Sequence, residues 1–112
     1  MTDRASIRAA RLTRVAKVGD ALAKSAERIA LDRRRSLEAE QQRLETVRKY
    51  CGDYGQLARE REVAGQSVNS LRMYREFSGW LSTLSQDQLD RVAQAEFFLE
   101  AAVDEARGRR RF

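Results

Sequence analysis

At 112 residues the chain allows one domain at most, and 35% charged residues with no proline and only six glycines exclude an ordinary compact interior. The net charge of +5, from 22 basic and 17 acidic side chains, points toward an acidic partner, an anionic membrane surface or a nucleic acid. The absence of histidine, of a Gly-rich phosphate loop and of a carboxylate pair in a cleft argues against catalysis, so no cofactor or metal is expected.

The positive charge gathers at the ends. Residues 1–20 hold five basic and two acidic side chains, and Arg107, Arg109, Arg110 and Arg111 close the sequence. Along the first half, apolar residues recur at helical spacing and follow sevens, which predicts a helix over about 4–60. Val15, Val18, Leu22 and Ile29 read as one seam. Leu37, Leu44 and Cys51, with Val47 and Tyr54, read as a second, in which Glu40 is the polar member. The step from Ile29 to Leu37 is eight residues, which predicts a register shift and local unwinding there. Asp20/Lys24 and Glu45/Lys49 place acid before base at i,i+4, each supporting the helix by about 0.2–0.5 kcal/mol.

Gly52 and Gly55 make the tract from Cys51 to Gly55 the weakest part of this helix, since each costs about 1 kcal/mol relative to alanine. A turn is expected over residues 61–66, with Gly65 ending one helix and the Ser67 hydroxyl capping the next. Beyond it Leu71, Tyr74, Phe77, Leu81 and Leu84, then Val92, Ala95, Leu99, Ala102 and Ala106, form a stripe that predicts a second helix over about 67–107. A turn this short makes the helices antiparallel. The expected fold is therefore all-α: a single antiparallel two-helix coiled-coil hairpin, elongated. A turn centred near residue 63 would set Tyr54 near Leu71, Leu44 near Leu81 and Leu37 near Gln88. It would also leave about the first fifteen residues without a partner helix.

The segment from Leu44 to Gln88 carries a more particular pattern. Leu44 is followed by Tyr50 and Tyr54 four apart, a polar turn with Gly65 and Ser67, and then Leu71, Tyr74, Phe77, Leu81, Leu84 and Gln88. In this it resembles the FliJ family, a small component of the bacterial flagellar type III export apparatus, and more distantly the YscO-type stalk proteins of injectisomes. The resemblance covers roughly residues 1–107, though the N-terminal half matches mainly in being amphipathic and basic. It implies a non-enzymatic hairpin, similar to the central stalk of rotary ATPases, which engages the export ATPase ring and the cytoplasmic domain of the export gate and escorts empty export chaperones. It also implies a cytoplasmic location, peripheral at the inner membrane.

The family's gate-binding positions fall on Arg43, Val47, Tyr50 and Tyr54 of the first helix and Phe77, Leu81, Leu84 and Gln88 of the second. Each set is spaced i, i+4, i+7, i+11, so each forms one stripe and the two can share a face. Arg43, Leu84 and Gln88 depart from the family's residue types there, and the second helix is shorter than is usual in the family.

Bland readings stand beside these. Tyr50, Tyr54 and Phe77 at helical spacing would ordinarily be packing residues, Trp80 is read as surface packing, and Cys51 as a small buried apolar residue. Arg4, Arg8 and Arg11 form a turn-spaced basic face that suits a solvated flank, or else contact with acidic residues of an ATPase or with anionic lipid. Nucleic-acid binding is not expected, because no aromatic residues interleave with the basic runs. The main rival to the export reading is a coiled-coil adaptor or dimerisation module of an unrelated assembly.

Overall fold

The computed structural model describes residues 3–65 and 67–111, with the side chains of 110 and 111 excepted. Two helices make up nearly all of it: α1, Arg4–Val63, and α2, Val68–Arg111. Their backbone contacts divide into two units, one of residues 36–96 and one that joins residues 1–35 to 97–112.

The unit of residues 36–96 contains the turn and is an antiparallel helical hairpin. α1 runs past Arg59, Glu60, Arg61 and Glu62 to Val63, three residues beyond the expected end. The Ala64 amide donates to the Glu60 carbonyl at 3.1 Å and the Gly65 amide to that of Glu62 at 3.2 Å, which satisfies carbonyls left open by the helix end. Gly65 has φ +77°, the left-handed conformation that favours glycine at this position. On the other side Ser67 Oγ accepts from the Ser70 amide at 3.3 Å, so the expected cap is in place. Gln66, the last residue of the expected turn, lies outside the described residues.

Inside this unit the inward positions of α1 are Leu37, Glu40, Leu44, Val47, Cys51, Tyr54 and Ala58, all buried or half-buried and alternately three and four apart. That is the heptad spacing that keeps one stripe against a partner helix. The expected second seam of α1 is therefore present. The helix passes through Gly52 and Gly55 unbroken, where Cys51 and Tyr54 are held against α2.

On α2 the inward positions are Leu71, Tyr74, Ser78, Leu81, Ser85, Gln88, Val92 and Ala95. Here the expectation needs correcting. Phe77 and Leu84, expected in the stripe, are 42% and 38% exposed, and the seam positions belong to Ser78 and Ser85. The heptad from Tyr74 through Leu81 to Gln88 decides this. Pairing also runs about one to two helical turns further along than expected. Tyr54 meets Tyr74 and Phe77 instead of Leu71, Cys51 Sγ donates to the Leu81 carbonyl at 3.6 Å, and Gln88 reaches Glu40 instead of Leu37. The cause is the later turn.

In the other unit, α1 meets α2 through Ala23, Ala26 and Ala30, opposite Leu99, Ala102, Val103 and Ala106. Val15, Val18, Leu22 and Ile29, expected as a seam, are 68%, 60%, 44% and 51% exposed. Each sits one residue before a heptad position. Because Ala30 and Leu37 are seven apart, the predicted register shift is absent: large side chains were mistaken for the seam, and alanines occupy it. Every residue from Asp3 through Leu22 is exposed, and within this stretch Gly19 and Leu22 still line a groove with Glu105, Gly108 and Arg109 of α2. The salt bridge of Lys24 to Asp20, 3.2 Å, is the expected i,i+4 pair. No helix of the described residues is long and apolar enough to cross a membrane.

Candidate protein-docking face near the turn

The eight residues expected to form a docking stripe divide by depth. Leu81 and Gln88 are buried, at 7% and 6% exposure, and Val47 and Tyr54 are half-buried; all four are seam residues. Arg43, Tyr50, Phe77 and Leu84 are exposed. The stripe is thus one edge of the seam together with the rim above it. The Leu81 and Gln88 side chains therefore lie in the seam between the helices and not on its rim.

Gln88 has a different task. Its Nε2 donates to the Glu40 carbonyl at 3.0 Å and also to the Glu40 carboxylate. The same carboxylate accepts from Arg43 Nη1 at 2.7 Å. A polar pair set into an apolar seam stabilises one alignment over slipped ones, because any slip would bury an amide and a carboxylate without partners. Arg43 anchors the outer end of this pair, so its guanidinium is already committed to Glu40.

Around the turn-proximal rim the aromatic rings form a chain. Tyr54 lies 5.3 Å from Tyr74 and 4.4 Å from Phe77, and Phe77 lies 5.4 Å from Trp80, all tilted. The Arg61 guanidinium stands 5.7 Å from the Tyr74 ring centre, within cation–π range. Partial burial raises the pKa of Tyr54 above the ordinary tyrosine value, the nearby Tyr74 adds to the rise, and Arg61 partly offsets it.

Sequence reasoning missed three members of this rim. Trp80 is 57% exposed, Met73 70% and Leu57 40%. Like Tyr50, Phe77 and Leu84, each immediately precedes a seam position, and in an antiparallel pair these flanks of both helices lie on the same side. The signal was available in that offset. The result is an exposed cluster of aromatic and thioether side chains with a half-buried base, the composition favoured at protein interfaces.

The basic face behaves otherwise. Arg4, Arg8 and Arg11 are exposed on the N-terminal segment of α1. At the end of α2, Arg109 pairs with Glu105 at 3.0 Å and Arg107 is exposed, while the side chains of Arg110 and Arg111 lie outside the described residues. Compared with known proteins, the chain matches no family profile, no curated protein and no solved structure.

Proposed function

We propose that this chain is a non-enzymatic docking protein of bacterial flagellar type III export, of the FliJ kind. In this reading it binds the cytoplasmic domain of the export gate through the rim near its turn. Its basic N-terminal segment engages the export ATPase ring, and export chaperones are escorted by the same hairpin at the cytoplasmic face of the inner membrane. The observation that carries the reading is the chain of adjoining rings from Tyr74 through Tyr54 and Phe77 to the exposed Trp80, with Tyr50 and Leu84 exposed on the same flank. Two paired helices have no third layer to cover such side chains, and a contiguous apolar patch of this kind marks an interaction site. The aromatic spacing astride the turn, which resembles that family, supports the export gate as the partner.

The test is binding of the intact chain to the purified gate domain. Tyr50→Ala and Trp80→Ala, which remove mostly exposed rings, should each weaken binding about tenfold or more and leave thermal melting nearly unchanged. Leu81→Ala should do the reverse, lowering stability by about 2–3 kcal/mol because a buried leucine is lost from the seam. Undiminished binding by both rim variants would sink the assignment. A dimerisation module is the second reading, favoured by the exposed Val15, Val18, Leu22 and Ile29. Sedimentation separates the two, since that reading requires an obligate dimer.

A further inference from the structure

One aromatic ring has no place in the packing of the hairpin. Phe97 lies midway between the seam positions Ala95 and Leu99, two residues and so about 200° around the helix from each, which turns it directly away from α1. The ring is 67% exposed. The matching heptad positions of α2 are Glu76, Thr83, Asp90 and Asp104, all exposed and polar, as the solvated back of a helix requires. Its neighbour Phe98 is accounted for, since it flanks the seam and the Arg33 guanidinium stands 4.9 Å from its ring centre. Phe97 stands against that ring at 5.9 Å and 71°, an edge contact that steadies it without covering it.

We infer that Phe97 anchors a second docking face, on the back of α2, which receives an amphipathic helix of another protein whose apolar stripe is edged by Lys or Arg. A single exposed apolar residue calls for no explanation by itself. Here Phe98, 46% exposed, and Ala101, one turn further on, extend the ring into a patch. A preorganised aromatic at the centre of such a patch is the kind of side chain that carries most of the energy of an interface. Charge chooses the occupant. Residues 87–105 hold six acidic side chains and one basic, Arg91. Beside the ring, Glu100 lies one turn on and Asp104 two, both exposed, and neither carboxylate pairs with a basic side chain among the described residues. An incoming ammonium or guanidinium group therefore meets open carboxylates and, next to them, an aromatic face that also attracts cations.

A second copy joined symmetrically through this face would set Glu100 and Asp104 against their own equivalents, so like charges oppose that occupant. An anionic membrane surface and a nucleic acid are repelled by the same carboxylates. The rim near the turn belongs to the unit of residues 36–96 and contributes nothing to this face. The inference therefore holds whether or not the export reading does.

The experiment uses the full chain and two fluorescent helical peptides that share one leucine stripe, edged by lysine in the first and by glutamate in the second. Fluorescence anisotropy should show binding of the lysine peptide alone, weakening as salt is raised. Phe97→Ala should weaken that binding about tenfold or more, and Glu100→Lys with Asp104→Lys should do the same. Tyr50→Ala, on the rim near the turn, should leave it unchanged. Melting of Phe97→Ala should match wild type, because the ring faces away from α1, and amide exchange should slow over residues 97–104 when the peptide is added. No binding of the lysine peptide, equal binding of both peptides, or equal affinity of wild type and Phe97→Ala overturns the proposal. Binding lost in Tyr50→Ala and kept in Phe97→Ala would overturn it by returning the peptide to the rim. A wild-type dimer in sedimentation that Phe97→Ala dissolves would overturn it in favour of a second copy, and a marked fall in the melting temperature of Phe97→Ala would do so by making the ring a packing residue.

Discussion

Replacing Gln88 offers the sharpest test of whether it belongs to the seam, as its contacts indicate, or to a docking surface. Gln88→Ala removes a donor to a carboxylate that is 19% exposed. A hydrogen bond to a charged group contributes about 1.5–3 kcal/mol, and solvent at Glu40 places this one at the low end, near 1.5 kcal/mol. The one methylene lost adds up to about 0.8 kcal/mol, so a total loss of about 2 kcal/mol is expected. Gln88→Leu restores the apolar packing but leaves the Glu40 carboxylate with Arg43 alone, at a cost of about 1 kcal/mol. Glu40→Leu alone should cost about 1 kcal/mol, because Gln88 Nε2 loses the carboxylate and keeps only the carbonyl of residue 40. The double variant removes both polar groups and should be close to wild type or more stable, since paired apolar replacement of a buried polar pair is often neutral or favourable. The cycle therefore predicts a coupling of about 1–2 kcal/mol between positions 40 and 88. Urea unfolding followed by circular dichroism measures all four proteins. Strictly additive single costs would refute the argument, because they would mean that the two side chains do not share one interaction. A second readout follows from specificity: with the polar pair gone, slipped or dimeric arrangements should become populated, visible as heterogeneity in sedimentation.

Two further predictions concern the turn and its aromatic neighbours. Gly65→Ala should destabilise the hairpin by about 1–2 kcal/mol, because φ +77° is unfavourable for a side-chain-bearing residue even with open space around it; an unchanged denaturation midpoint would show that the turn adopts another conformation. Tyr54 should ionise above the ordinary tyrosine value of 10.0, which difference titration of wild type against Tyr54→Phe in the ultraviolet would resolve. With the folded pKa raised, the protonated phenol is the form the fold prefers. Its contribution is thus present below the unfolded value and lost as pH rises through the folded one, so wild type should lose more stability above about pH 10 than Tyr54→Phe does. Equal losses would count against this.

The fold class was legible because breaker-free helical periodicity, a Gly65/Ser67 turn signal and short connection leave few alternatives to an antiparallel pair. The seam of α1 from Leu37 to Tyr54 was legible for a related reason: there the large apolar residues and the heptad coincide. Elsewhere they part company. At Val15, Val18, Leu22 and Ile29, and again at Phe77 and Leu84, the bulky residue stands one position before the heptad position, which an alanine, glycine or serine fills. Reading size as a proxy for burial therefore moved the seam by one residue and created a register shift that does not exist. The turn was placed too early for a local reason, since Arg59-Glu60-Arg61-Glu62 looks polar enough to be a loop but is equally a solvated last turn of helix.

That displacement bears directly on what the hairpin can do. If the largest apolar side chains had occupied the seam, folding would have consumed them and the outer surface would be charged throughout. On the α2 side of this seam Ser78 and Ser85 alternate with Tyr74, Leu81 and Gln88, so Phe77 and Leu84 stay at the edge with Tyr50 and Trp80, where truncation costs folding little and a partner much. At the serine layers apolar packing contributes little to fixing the register. The Gln88–Glu40–Arg43 network compensates, and it lies on the same seam, about three turns of α2 beyond Phe77. Alignment of the two helices is what sets Tyr54 against Phe77, so a register slip would disperse the docking cluster even if both helices remained folded. A mutation in that polar network should then weaken docking at the rim without touching any rim residue.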